Sequence, residues 1–266
     1  MIPNIFLDKK YKFANNETVD NPLYSYKFQK GFVDHVGRPN EDYSKHADYQ
    51  TVRYPYSGLV GKDQIVATTA HNKKIDEMYT TSGVGSELDK QVSWWLKKGP
   101  DGSNMRSRYA ACLKAPNFTV FSNTTSATNW NGDHLGDTGF TPIVALESPH
   151  NGVHLALGGY SIPGKPSYDL IAGANGDMGE NDSASFDPIF YFHHAFIDKV
   201  FWDWQVLHNS KEKLEIIDQY PGTNSVDSQG PTPGVAAGVY LTLDTKLEPF
   251  DYTSRVCGGP RTRTSH

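Results

Sequence analysis

The sequence predicts a mainly α-helical protein, a helical bundle set among long irregular loops with few short strands. Three observations predict it. Apolar residues recur at three- and four-residue steps in several windows. Clusters of Gly, Pro, Asn and Ser separate those windows. No internal repeat, coiled-coil heptad or low-complexity run points to another architecture.

In chain order, residues 63–79 read as a first helix and residues 86–98 as a second. In the second, Ser86 serves as N-cap, Leu88, Val92, Trp95 and Leu96 share a face, and Gly99-Pro100 stops the run. In TPIVALESPHNGVHLALGG, the residues Ile143, Leu146, His150, His154 and Leu157 line one helical face, and Gly158-Gly159 ends it. Pro149 leaves two readings: the regular helix starts there with Ser148 as N-cap, or a longer helix is kinked at that point. The cleanest start signal is Asp187-Pro188, an acidic N-cap followed by proline at the first helical position. Residues 189–208 then read as a helix whose inward face carries Phe190, His194, Ile197, Phe201 and Trp204, with Asn209 as a left-handed stop.

With 266 residues, 37% hydrophobic content and a formal net charge of -5, the chain fits one globular domain with a sizeable core. Lys and Arg are outnumbered by acids and scattered, which argues against nucleic acid or an anionic membrane as partner. No stretch reaches the roughly 20 apolar residues that span a bilayer, and MIPNIFLDKKYKF lacks a signal-like apolar run, so a cytoplasmic protein is expected. Cys112 and Cys257 are too few for a disulfide framework or a thiolate cluster. Sequons at Asn16, Asn117, Asn123 and Asn181 read as chance matches in a chain rich in Asn, Ser and Thr.

Chemistry concentrates in the histidines. A separation of four places His150 and His154 on one side of one helix, about 5–6 Å apart at Cβ, a two-ligand chelate. Alone, H-x-x-x-H has a bland reading, two half-buried histidines bonded to their neighbours. His193-His194 changes the balance. Of two adjacent helical residues only one can face inward with Phe190 and Ile197, and the i, i+3, i+4 rule selects His194, leaving His193 to point aside as a packing or outer residue. Three neutral imidazoles suit copper or zinc rather than magnesium or calcium. An H-E-x-x-H zinc hydrolase would need its base where Asn151 stands, and Asn151 cannot take a proton. Glu147, three residues before His150, has two equal readings: an exposed first-turn glutamate, or a carboxylate near a metal-bound water or substrate hydroxyl.

These residues resemble the tyrosinase family of type 3 copper oxidases, the fungal tyrosinases above all. The family's second copper site is similar to E-x-x-H-N-x-x-H followed by D-P-x-F-x-x-x-H-x-x-x-D. Glu147, His150, Asn151 and His154 match the first motif, and Asp187, Pro188, Phe190, His194 and Asp198 the second. VDNPLYSYKF, TVRYP, GDMG and LEPF also resemble family segments. The resemblance implies a tyrosinase-type helical bundle, represented here by its second-copper half over residues 1–250, with an unstructured tail over 251–266.

It also implies copper as cofactor, held by His150, His154 and His194, a full enzyme needing two copper ions. The implied activity oxidises mono- and o-diphenols to o-quinones with dioxygen, the phenolic substrate and dioxygen being the small-molecule partners. Glu147 and Asn151 match the pair that orients a water near the substrate hydroxyl, and Phe190 matches the aromatic that shields the second copper. Asp187, His193 and Asp198 fall around the ligands, and Leu155 and Asn181 where substrate-lining residues are expected.

The departure is the first copper site, whose H-R-x-Y/F-like helix has no counterpart here. His35, His46, His71, His134, His208 and His266 show no helical pairing and read as surface or loop residues. The chain is expected to begin where the first-site half would end, and to stop before any C-terminal lid. One cuprous ion gives up one electron, so a lone site would not run the family cycle. The other reading is therefore a catalytically silent mononuclear copper-binding protein, or a truncated pseudo-enzyme that lacks the first copper site. A half bundle would leave apolar faces bare around His154 and around Phe190, Phe201 and Trp204, so a homo-oligomer or association with a first-site half is expected.

Overall fold

Trp204 anchors the interior: it is 1% exposed, donates its indole N–H to the Ala115 carbonyl (2.9 Å) and stacks on Phe121 (ring centroids 4.7 Å). The computed structural model describes residues 2–31, 45–59, 61, 64–79, 81–98, 104–161, 169–225 and 234–246. Among them are a two-stranded antiparallel hairpin, β1 (Lys10–Lys12) with β2 (Thr18–Asp20), and seven α-helices. The helices are α1 (Ile65–Met78), α2 (Thr81–Lys97), α3 (Met105–Cys112), α4 (Phe118–Ser122), α5 (Thr124–Asp133), α6 (Glu147–Gly158) and α7 (Ile189–Leu207). The mainly helical class with few short strands is as expected. LEPF, Cys257 and the tail over 251–266 lie outside the described residues.

Two larger apolar clusters and a smaller one of Trp95, Met105 and Ala156 make up the core among the described residues. Of the larger two, one gathers Ile2, Phe6, Tyr54, Leu88, Leu157, Met178 and Ile189, the other Cys112, Val120, Phe121, Leu146, Val200 and Trp204. Helix α6 packs on α2, α3 and a 3-10 turn at Asp177–Gly179. Among the described residues no helix is long and apolar enough to cross a membrane.

Helix α2 starts five residues before the expected Ser86, in spite of Gly83 and Gly85. Two glycines lower helix propensity by roughly 1 kcal/mol each, a weak preference that packing overrides. Its inner face is also turned: Leu88, Gln91 and Trp95 are buried and Leu96 is exposed. Gln91 can be inside because its amide bonds Asp169 Oδ1 (2.8 Å).

Neither reading of Pro149 is met. Helix α6 begins two residues earlier, without a side-chain cap at Leu146, and Ile143 stays outside it. Proline is harmless there, because the first-turn N–H groups of a helix have no partner within it in any case. At α7 the sequence signals hold. Asp187 Oδ1 accepts from Ile189 N (3.0 Å), Pro188 is already helical (φ -56°, ψ -29°), and Asn209 is left-handed (φ 52°).

The inward face of α7 is rotated from the expected one. Ile189, His193, Val200 and Trp204 are buried, and Phe190, His194, Ile197 and Phe201 form its half-buried shoulder. Apolar surface is bare on α7, but at Phe192, Phe196, Trp202 and Val206 rather than at Trp204.

Candidate metal centre

Helix α6 delivers His150 and His154 one turn apart, with ring centroids 4.7 Å apart. Each ring is oriented from behind. The Nδ1–H of His154 donates to the Met178 carbonyl (2.8 Å), and the Nδ1–H of His150 donates to Asn151 Oδ1 (2.8 Å). A proton on Nδ1 leaves the lone pair on Nε2.

Both lone pairs meet the same atom. His194 Nε2, from α7, lies 3.4 Å from His150 Nε2 and 3.3 Å from His154 Nε2. One proton on His194 could satisfy only one of them, whereas a metal satisfies all three nitrogens. Nitrogen ligands about 2.0–2.1 Å from a tetrahedral first-row metal stand about 3.3–3.4 Å apart. The donor set therefore fits a copper-type ion.

Burial favours the neutral, ligating form of His154 and His194. Desolvation pushes His154 down to about 4, its bond to Met178 working the other way. Desolvation also lowers His194, helped by the neighbouring His150 and opposed by the charge of Asp198 one turn on.

His193 does not point aside. It is 6% exposed, against a half-buried His194, and its ring stacks on His150 (5.1 Å, 19°). Donor atoms of His150, His154 and His193 also lie within 4.8 Å of one another. The Nε2–H of His193 donates to the His150 carbonyl (3.1 Å) and so ties α7 to α6. The short Nε2 distances favour His194 as the third donor. Burial pushes His193 down to about 3.

Phe190 stacks on His194 (centroids 4.0 Å, 28°) and meets His154 edge-on (5.8 Å). Glu147 is exposed at the start of α6, and its Oε2 accepts from Thr124 N (2.7 Å). Leu155 packs against Trp95, Met105 and Ala156, and Asn181 is exposed beyond the Asp177–Gly179 turn. The other described histidines are dispersed. His46, His71, His134 and His208 each bond a carbonyl, of Ala47, Pro55, Trp130 and Leu113. His35 and His266 lie outside the described residues.

The model of the common central domain of tyrosinase matches residues 3–207. The chain belongs to the tyrosinase family. It is 47% identical to a tyrosinase of Aspergillus oryzae over 270 residues, covering 94% of this chain and 49% of that protein. It is 46% identical to tyrosinase HcTyr2 of a Hahella species, covering 94% of this chain and 46% of the other. A tyrosinase structure from Burkholderia thailandensis superposes with a TM-score of 0.78 at 42% identity, covering 94% of this chain and 47% of that one. The chain thus spans about half the length of the curated tyrosinases it matches.

TVRYP and GDMG each make one contact that bears on the site. Arg53 and Asp187 form a buried two-pronged pair (2.7 and 2.8 Å) at the start of α7, and Met178 of GDMG offers the carbonyl that holds His154. Sequence spacing shows neither, because both join residues far apart in the chain.

Proposed function

We propose that this chain forms the second-copper half of a tyrosinase-type oxidase, with the ion held by Nε2 of His150, His154 and His194 and a phenol as substrate. The convergence of three Nε2 atoms, two of them with Nδ1 tied back, carries the reading. Copper, when bound, supplies the redox chemistry by which dioxygen oxidises phenols to quinones.

The residues of the chain do the rest. Met178 and Asn151 hold the Nδ1 protons, so the Nε2 lone pairs keep their aim. Phe190 covers the ring of His194 and limits its water and its rotation. In this reading Glu147, three residues before His150, would accept the phenolic proton. Its bond from Thr124 N takes one of about four lone-pair sites, so the carboxylate keeps capacity for a second partner. Asn151 uses its carbonyl on His150 and has an amide N–H pair to offer to a water or substrate hydroxyl.

Turning a catechol into a quinone removes two electrons, and the described residues supply one set of three imidazoles. A first-site half, from a longer chain or a partner, is the complement this reading requires. The test is to load the full chain with Cu(I) without oxygen, measure copper per chain, and assay catechol with and without a first-site half. One ion per chain, and quinone only with the complement, is expected. No copper on the wild-type chain, or no quinone in either arm, would overturn it.

A further inference from the structure

His154 can aim its Nε2 only if the Met178 carbonyl is itself held still. That carbonyl belongs to the 3-10 turn Asp177–Gly179, and the turn is held by an ionic cluster. The Asp177 carboxylate is 0% exposed. Its Oδ2 accepts from Tyr49 Oη–H (2.7 Å) and from Val52 N (2.7 Å), and its Oδ1 lies 3.3 Å from Lys45 Nζ. Lys45, 6% exposed, also donates to the Gly58 carbonyl and sits 4.5 Å over the Tyr49 ring. Gly58 leaves the room this needs, since a Cβ there would come within 2.5 Å of Tyr49 Oη. The backbone completes the lock: Asp177 N donates to Val52 O (2.8 Å) and Gly176 N to Gly158 O (2.6 Å).

A buried ion pair is a poor way to add stability, because desolving two charges cancels most of their attraction. What a carboxylate with two hydrogen-bond donors and an ammonium beside it adds is position. It sets the height and rotation of the turn, hence where the Met178 oxygen meets His154. We propose that Asp177, with Tyr49 and Lys45 as its partners, is the positioning residue for His154, acting through the Met178 carbonyl. The inference rests on the copper reading of the triad.

The test uses the full chain and two readouts besides activity. Nitrogen-15 NMR of the metal-free chain reports whether His154 keeps its proton on Nδ1, and competition with a Cu(I) chelator reports affinity. In Asp177→Asn, His154 is expected to lose the single Nδ1–H state and Cu(I) binding to weaken about 10- to 100-fold, as for other groups that orient a ligand. Tyr49→Phe removes one bond to the carboxylate and shifts both readouts the same way by a few-fold. Val120→Ala, which hollows the other apolar cluster on α4, lowers stability and leaves both readouts at wild-type values. If Asp177→Asn does not fold, Tyr49→Phe decides. A folded Asp177→Asn or Tyr49→Phe chain with an unchanged His154 tautomer and unchanged Cu(I) affinity overturns the proposal. So does a Val120→Ala chain that loses affinity in step with its stability. A wild-type chain that takes no copper defeats the copper reading, while the tautomer measurement still judges the positioning.

Discussion

His194 and His193 are neighbours in sequence with opposite tasks. His194 presents Nε2 to two lone pairs, and His193 spends its Nε2–H on the His150 carbonyl. Replacing His194 by Ala should therefore cost more copper affinity than the roughly 10–100-fold typical of an outer group, with little change in stability. His193→Ala should cost about 1–3 kcal/mol of stability for the bond and packing it removes, and less affinity. Cu(I) competition and urea unfolding on both variants check this, and the reverse order would make His193 the donor.

Cys112 gives a second prediction at this scale. It is fully buried, and desolvation pushes its thiol up to about 12. The folded protein should resist alkylation at Cys112 at pH 8 and react once unfolded, as peptide mapping would show. Because the unfolded thiol ionises near 9 and the folded one near 12, its contribution to stability is complete below 9. It is lost as pH rises from 9 towards 12.

At the scale of elements, the glycines of α6 separate packing from propensity. A Cβ on Gly158 would lie 2.0 Å from Gly179 N and 2.8 Å from the Met178 carbonyl carbon, backbone atoms that cannot step aside. Gly158→Ala should cost about 3 kcal/mol, the upper part of the overpacking range, and disturb the His154 bond with it. Gly152→Ala meets only the flexible end of Met105, at 2.9 Å, and gains up to about 1 kcal/mol of helix propensity. It should stay within about 1 kcal/mol of wild type, and chemical unfolding of the pair tests the contrast.

The same comparison shows what the sequence made legible. Local signals placed α7 within a residue at each end, since Asp187-Pro188 and Asn209 act through backbone geometry that the sequence states directly. Residues 105–133 gave no such warning, although α3, α4 and α5 each open on an asparagine, Asn104, Asn117 or Asn123, whose side chain accepts a backbone N–H. The sequons at Asn117 and Asn123 are those caps. Which face turns inward was misjudged in both α2 and α7, because Gln91 and His193 are buried by partners from other segments, Asp169 and the His150 carbonyl. Periodicity counts apolar residues and has no term for a polar one whose partner arrives from elsewhere. The triad could be read from spacing because His150 and His154 share one helix, whereas the groups that aim it, Met178, Asp177 and Arg53, come from across the chain.

On the scale of the whole molecule, one guanidinium joins three stretches of chain. Arg53 grips Asp187 with two N–H groups, donates to the Phe6 carbonyl (2.6 Å) and reaches the Leu23 carbonyl (3.0 Å). It thereby fastens the N-terminal segment to the start of α7, the helix that carries His194. Arg53→Met would leave the buried Asp187 carboxyl without its main partner, which costs about 3–5 kcal/mol. Arg53→Lys keeps the charge but lacks the planar fork that bonds Asp187 and both carbonyls together, so it should recover only part of the loss. Urea unfolding of the two variants measures this directly. If Arg53→Met stays within about 1 kcal/mol of wild type, the apolar cluster of Ile2, Phe6, Tyr54 and Ile189 alone holds these segments together. If it falls as expected, the buried pair that neither the TVRYP nor the DPIF segment can form by itself is what fastens them together.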